Sequence, residues 1–214
     1  MDIIYEDKYI LVIDKPAGLA VQTRSVGEKD VESEIKKLRR SKGEPAEIYV
    51  VHRLDKPVSG LMVLAKNKDA AAVLSKEMGS DDFLKIYKAR VLKPKDFIRR
   101  EKLTDYLVKD AKTNTSHVAS LDEKGAKKAV LSYETLNEDE SLAELLIKLE
   151  TGRHHQIRLQ LSHAGMPILG DQKYGTEESK RVSSMLNIYT VSLRAVELSF
   201  KHPVTHKELH FTID

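Results

Sequence analysis

The chain has 214 residues, of which 41% are hydrophobic and 32% charged, with a formal net charge of +3. That length supports one substantial core, and a single domain over residues 1–214 is expected. No apolar run approaches the ~20 residues of a membrane span, and Met1-Asp2-Ile3-Ile4-Tyr5-Glu6-Asp7 lacks the basic and apolar regions of a secretory signal. A cytoplasmic, monomeric protein is therefore expected. The absence of cysteine excludes disulfides, thiolate metal sites and cysteine nucleophiles. Cations gather at Lys85, Lys88, Arg90, Lys93, Lys95, Arg99, Arg100 and Lys102, against only Asp96 and Glu101. Such a lobe could track a phosphate backbone, or serve solubility alone.

In chain order, Tyr9-Ile10-Leu11-Val12-Ile13-Asp14 reads as a strand, and Lys15-Pro16-Ala17-Gly18 as a turn before extended structure resumes. Asp30 can cap an amphipathic helix to about residue 40, because Val31, Ile35 and Leu38 keep a three-to-four residue rhythm. Two strands, residues 47–55 and 61–65, should flank a Pro/Ser/Gly loop beginning at Asp55. A helix over residues 68–77 follows, with Asn67 as cap and Gly79 as stop. Residues 85–91 alternate like a strand. The middle third, 103–136, reads as short strands, with hairpin character at Asp122-Glu123-Lys124-Gly125. Residues 142–150 suit a strand better than a helix, because Thr151-Gly152 then opens a helix running from Arg153 to about His163, which Gly165 and Pro167 end. A glycine-rich loop, a short helix near 180–186 and C-terminal strands complete the chain. Strands and helices do not alternate strictly, which points to an α+β class with a mixed, largely antiparallel central sheet flanked by helices.

Read alone, Asp55 is an ordinary carboxylate for starting a turn before Pro57. Arg53 and Lys56 place positive charge beside it, which favours the ionised form, and Ser59-Gly60 permits close approach of another chain. An ionised loop carboxylate can serve as nucleophile or base. Tyr87, in an alternating strand, is either a core ring or, facing a cleft, a platform on which an unstacked base could rest. Arg153 falls at or just before a helix N-terminus, where an anion is favoured, or is simply solvated. His154, His155 and His163 lack the i, i+3 or i, i+4 spacing of helix-borne metal ligands, so no metal is expected. Gly170-Asp171-Gln172-Lys173-Tyr174-Gly175 lacks the arrangement of a triphosphate-binding loop.

Several stretches then fit one pattern. Tyr5-Glu6-Asp7 through Lys15-Pro16-Ala17-Gly18, His52-Arg53-Leu54-Asp55-Lys56-Pro57-Val58-Ser59-Gly60, Lys85-Ile86-Tyr87-Lys88-Ala89 and Thr151-Gly152-Arg153-His154-His155-Gln156-Ile157-Arg158 resemble the RluA-type pseudouridine synthases in order and spacing. Leu169-Gly170-Asp171, Tyr174-Gly175 and Phe200-Lys201-His202-Pro203-Val204-Thr205 extend the likeness over nearly the whole chain. The resemblance implies the pseudouridine synthase fold, with Asp55 as catalytic aspartate, Tyr87 stacking on the target base and aiding proton transfer, and Arg153 as ion-pair partner of Asp55. Arg53, Lys85 and Ile157 would line the substrate site. Many relatives carry an N-terminal S4 RNA-binding domain, whereas here the catalytic region begins within the first few residues. RNA selection is then expected to rest on the catalytic domain or on charged loops.

The implied reaction isomerises uridine to pseudouridine in RNA, with 23S-type ribosomal RNA as the expected substrate and transfer RNA as the alternative. It breaks the C1′–N1 bond, turns the uracil and joins C1′ to C5. No atom enters or leaves, so neither cofactor nor metal is required: a carboxylate can attack C1′ or remove the 2′ proton, and a second group can move the C5 proton. Two rivals stand beside this reading. One is a non-catalytic RNA-binding module of the same fold; the other is a hydrolase or nuclease using Asp55 and His155.

Overall fold

The computed structural model describes every residue except Arg24, Val26 and Asp81. Its backbone gathers into two compact units, one formed by Met1–Lys85 with Arg194–Asp214, the other by Ile86–Leu193. Among the described residues no helix is long and apolar enough to cross a membrane.

The first unit is built on β1 (Asp2–Glu6), β2 (Ile10–Lys15), β4 (Ser59–Ala65), β10 (Leu193–Lys201) and β11 (Glu208–Thr212), with the two-residue β3 (Tyr49–Val50) paired to β4. Antiparallel ladders join β1 to β2, β2 to β4 and β10 to β11, whereas β4 and β10 run parallel. The continuous apolar runs of β2 and β4 have partners on both sides, as such sequences require. Two helices accompany this sheet. In α1 (Val31–Ser41) the Asp30 carboxylate accepts from the Ser33 amide while the Ser33 hydroxyl accepts from the Asp30 amide, a closed capping box. In α2 (Lys68–Glu77) the side chain of Asn67 accepts from Ala70, as its sequence leads one to expect. Ile10, Val12, Leu61, Val63, Leu74, Phe83, Leu198 and Phe200 form the buried core, each worth about 1.5–3 kcal/mol of apolar burial.

The strand expected over residues 47–55 is cut short. Its ladder ends at the pair Val50–Leu64. One residue further, the Val63 amide donates to the ring Nε2 of His52 at 3.0 Å instead of to a backbone carbonyl. Burial, and to a lesser degree the charge of Lys85, lowers the pKa of His52 to about 3, which keeps the ring neutral and able to accept. The chain is thereby released from the sheet just before Asp55. The close approach foreseen at Ser59-Gly60 is made by β10: a Cβ on Gly60 would lie 2.2 Å from the Ala195 carbonyl oxygen. With φ at +117° as well, only glycine fits there.

The second unit contains β5 (Leu84–Leu92, from Ile86 onward), β9 (Leu142–Leu149), β8 (Lys127–Glu138), β6 (Arg100–Asp110) and β7 (Thr115–Ala119), antiparallel and in that spatial order. The middle third is thus not a set of short strands. β6 and β8 span 11 and 12 residues; the polar residues in them alternate with apolar ones and so mark an exposed sheet face, not interruptions. β9 is a strand, as favoured. Helix α3 (Gln156–His163) packs Leu159 against Leu107 and Ala129, and α4 (Glu177–Met185) is capped by Thr176.

α3 begins later than residue 153. The side chain of Gln156 takes two donors, the Thr151 hydroxyl and the Arg153 amide, and His155 adopts a left-handed conformation with φ of 53°. Those contacts fold residues 151–155 into a turn ahead of the helix. Arg153 therefore lies three residues before the first helical residue.

Candidate active site

The first unit carries Arg53, Asp55 and Lys85 of the residues expected to act. Arg53 is exposed and Asp55 half-buried. The turn at Asp55 is closed by the Val58 amide, which donates to the Asp55 carbonyl at 3.0 Å. The next carbonyl, that of Lys56, accepts from the Gly18 amide at 2.8 Å and from the ammonium of Lys15 at 3.3 Å. Lys15 also donates to the carbonyls of Pro16 and Leu19 at 3.0 and 2.8 Å. It is wholly buried, an unusual fate for a lysine. Burial lowers its pKa to about 8, and the charge of Asp55 works against that fall. A single cation thus ties the Lys15-Pro16-Ala17-Gly18 turn to the Asp55 turn. In the sequence this lysine reads only as part of a turn; its place at the end of a strand whose first four residues, Ile10–Ile13, are apolar is the available signal. Lys85 lies over the ring of Phe83, 5.5 Å from its centroid, with its pKa lowered by burial.

The second unit carries Tyr87, Arg153 and Ile157. Tyr87 is buried in β5, opposite Ile147 of β9. Ile157 is buried at the start of α3. Arg153 is exposed, and its Nε donates to the Lys128 carbonyl at 2.9 Å.

Five residues past Arg153, Arg158 is only 4% exposed. Its Nε and one Nη donate to the two carboxylate oxygens of Asp171 at 2.7 and 2.8 Å, and its guanidinium carbon lies 5.1 Å from the centroid of the Tyr174 ring. Burial raises the pKa of Asp171, but the hydrogen bond and charge of Arg158 and the amides of Tyr174 and Lys173 outweigh it, leaving the carboxyl below its usual range. The Tyr174 oxygen meets His155 Nδ1 at 2.7 Å and accepts from the Ser116 amide at 2.8 Å. His154 and His155 stack with centroids 3.7 Å apart, and Ser116 Oγ lies 2.9 Å from His154 Nδ1. The histidines are thus engaged in stacking and hydrogen bonding within this unit. Arg158, Asp171 and Tyr174 stood inside quoted motifs, yet spacing alone could not reveal that they converge.

A family model for RNA pseudouridylate synthases matches residues 9–163, well over half of the chain. The chain belongs to the RNA pseudouridylate synthase family. It is 35% identical to the dual-specificity RNA pseudouridine synthase RluA of Vibrio parahaemolyticus serotype O3:K6 (strain RIMD 2210633) over 96% of this chain and 79% of that one. It is 28% identical to the tRNA pseudouridine synthase C of the same organism, over 98% and 88%. Among solved structures, human RNA pseudouridylate synthase domain containing 4 superposes with a TM-score of 0.79 at 25% identity, covering 99% of this chain and 87% of that one. The resemblance read from the motifs is thereby borne out, as is the pseudouridine synthase fold with its largely antiparallel mixed sheet. The protein is an isomerase that forms pseudouridine in RNA.

For this pseudouridine synthase the Lys15 clamp carries a pH dependence. An ammonium has three N–H donors for its three carbonyls and lends Asp55 a positive neighbour, whereas the neutral amine has two and no charge. Activity is expected to fall as pH rises through about 8, the folded-state pKa of Lys15. Stability should move the other way. Between about 8 and the ordinary value of 10.5 the folded protein has released a proton that the unfolded chain still holds, so this group makes stability rise with pH across that window. A pH profile of kcat/KM beside urea unfolding at the same pH values checks both signs, and Lys15→Arg should remove the alkaline fall if the variant is active.

Proposed function

We propose that Asp55 is the catalytic carboxylate with which this enzyme isomerises a uridine of large-subunit ribosomal RNA. The observation that supports this most is the fixing of its turn: the carbonyl beside Asp55 is held by both a backbone amide and a buried ammonium. Preorganisation of that kind suits a group that must meet C1′ or the 2′ proton of a flipped nucleotide, whose extrusion costs a few kcal/mol. Tyr87 is the residue that stacks on the target base and aids transfer of the C5 proton, while Arg53, Lys85 and Ile157 line the substrate site. No step of the reaction calls for a cofactor or a metal. Transfer RNA is the second reading, favoured by the relatives named tRNA pseudouridine synthase C.

The cation proposed to orient Asp55 is an arginine of the segment Arg153-His154-His155-Gln156-Ile157-Arg158. Motif order gives the role to Arg153. Burial and orientation give more support to Arg158, because a desolvated guanidinium held flat by Asp171 and Tyr174 is an oriented charge, while an exposed one is screened by water. Arg158→Lys is expected to lower kcat by about 100-fold, the usual cost of losing one oriented electrostatic donor. Arg153→Ala should act chiefly on RNA affinity. A kcat loss confined to Arg153→Ala would return the role to Arg153.

The reading is tested by incubating unmodified ribosomal and transfer RNA transcripts with wild-type and Asp55→Asn protein and mapping pseudouridine chemically. New pseudouridine in the ribosomal transcript, absent with Asp55→Asn, is the expected result. Modification of transfer RNA alone would favour the second reading, and equal activity of the two proteins would overturn the role of Asp55.

A further inference from the structure

Two basic stretches compete for the role of contacting RNA. In the first, between Lys85 and Lys102, four of the eight cations are paired with carboxylates within the fold. Lys93 and Arg99 both pair with Glu138, Arg100 with Glu134 at 2.6 Å, and Lys102 with Glu150 at 2.8 Å. A guanidinium or ammonium already beside a carboxylate has less to gain from a phosphate.

The second stretch is smaller and unneutralised. Lys127 and Lys128 open β8, and both are exposed. Among the described residues no carboxylate is paired with either. Arg153, exposed and likewise outside those ion pairs, is tied to the same spot because its Nε donates to the Lys128 carbonyl. Three positive charges are thus gathered at one strand end, with Lys127 and Lys128 leaving the strand on opposite sides and the Arg153 fork fixed in direction. On the neighbouring strand Tyr106 stands directly opposite Lys128 and also opposite Ala119 of β7. Cross-strand partners share a sheet face, so a half-buried aromatic ring sits between a lysine and a small residue. Cations beside an accessible aromatic on a sheet face suit a nucleic-acid strand, whose phosphates take the charges while a base stacks on the ring.

We infer that Lys127, Lys128, Arg153 and Tyr106 form, around the end of β8, a docking patch for the sugar-phosphate backbone of the substrate RNA. The inference rests on the proposed reaction on RNA and adds the surface that holds the substrate. An acidic protein segment could be attracted by the same charges, and the test separates it because protein binding would not follow the RNA salt law.

The test compares Lys127→Ala/Lys128→Ala with Arg99→Ala/Arg100→Ala and wild type, each checked for an unchanged melting midpoint. Binding of an unmodified large-subunit ribosomal RNA transcript is measured across salt concentrations, and pseudouridine is mapped in the same samples. Each lost phosphate contact reduces the slope of log K against log salt by about 0.7 for a single strand or 0.9 for a duplex. The Lys127/Lys128 double variant should therefore lose about 1.4–1.8 in slope and roughly 30-fold in affinity near 0.1 M salt. The Arg99/Arg100 variant should lose less than about twofold, since its charges are already paired. An unchanged slope in the lysine variant, an equal loss in the arginine variant, or no measurable binding by wild type would overturn the patch. Binding by wild type without any pseudouridine would instead count against the proposed substrate, and the lysine comparison would still decide the patch.

Discussion

Asp55→Asn is expected to lower the single-turnover rate of pseudouridine formation by about 10⁴-fold or more, the scale seen when a nucleophile or its activating base is removed. The amide is isosteric with the carboxylate, so the turn closed by the Val58 amide and the clamp on the Lys56 carbonyl keep their backbone partners. What disappears is the negative charge and the lone pair that would attack C1′ or take the 2′ proton. RNA affinity should change by less than about threefold, because phosphate contacts dominate it. A second consequence is specific to this fold. The Asp55 charge raises the pKa of Lys15 against the effect of burial, so in Asp55→Asn that pKa should fall below about 8. Single-turnover kinetics on a transcript, with residual activity followed against pH, read both effects. A variant within tenfold of wild type would exclude Asp55 as the reacting group.

Asp171→Ala is expected to cost about 3–5 kcal/mol of stability, because it breaks a buried bidentate pair, taking from the Arg158 guanidinium the carboxylate that its Nε and one Nη bond. The same change removes acceptors from the amides of Lys173 and Tyr174. For a chain of this size the melting midpoint should drop by roughly 6–20 °C. Replacing both partners by apolar residues, Arg158→Met with Asp171→Leu, should recover much of that loss, since the penalty lies mainly in breaking one side of a buried charged pair. Recovery of stability without recovery of activity would separate the packing role of the pair from its electrostatic one. The pH dependence has a definite sign. The Asp171 carboxyl titrates below its ordinary value of 3.8 in the folded protein, so its contribution is complete above that value and is lost as pH falls beneath it. Urea unfolding of wild type and the two variants checks the prediction, and a loss below about 1 kcal/mol for Asp171→Ala would refute it.

The candidate site residues were legible only through the order of the motifs. Asp55 and Tyr87 stand out as candidates through the resemblance of their motifs, and helix α2 with its Asn67 cap was recognisable because capping is a local bargain between a side chain and an amide three residues away. α3 was misjudged at its start for the converse reason: Gln156 competes for the Thr151 hydroxyl and the Arg153 amide, and a side chain that folds back on its own approach leaves no trace in hydrophobic rhythm. β3 fell short because a histidine ring, not a carbonyl, took the Val63 amide.

The sequence by itself determined the reaction class, through ordered motifs around Asp55, and the absence of thiol chemistry, through the lack of cysteine. It also determined the α+β class, since the periodicity of each segment follows from local burial. Only tertiary structure decided which cations stay available. Lys15 and Arg158 became buried anchors, Arg99 and Arg100 were neutralised by glutamates 39 and 34 residues away in the chain, and Lys127 and Lys128 were left to solvent. The physical reason is that a charge acts through its surroundings, and those surroundings are assembled from residues that the chain brings together only on folding.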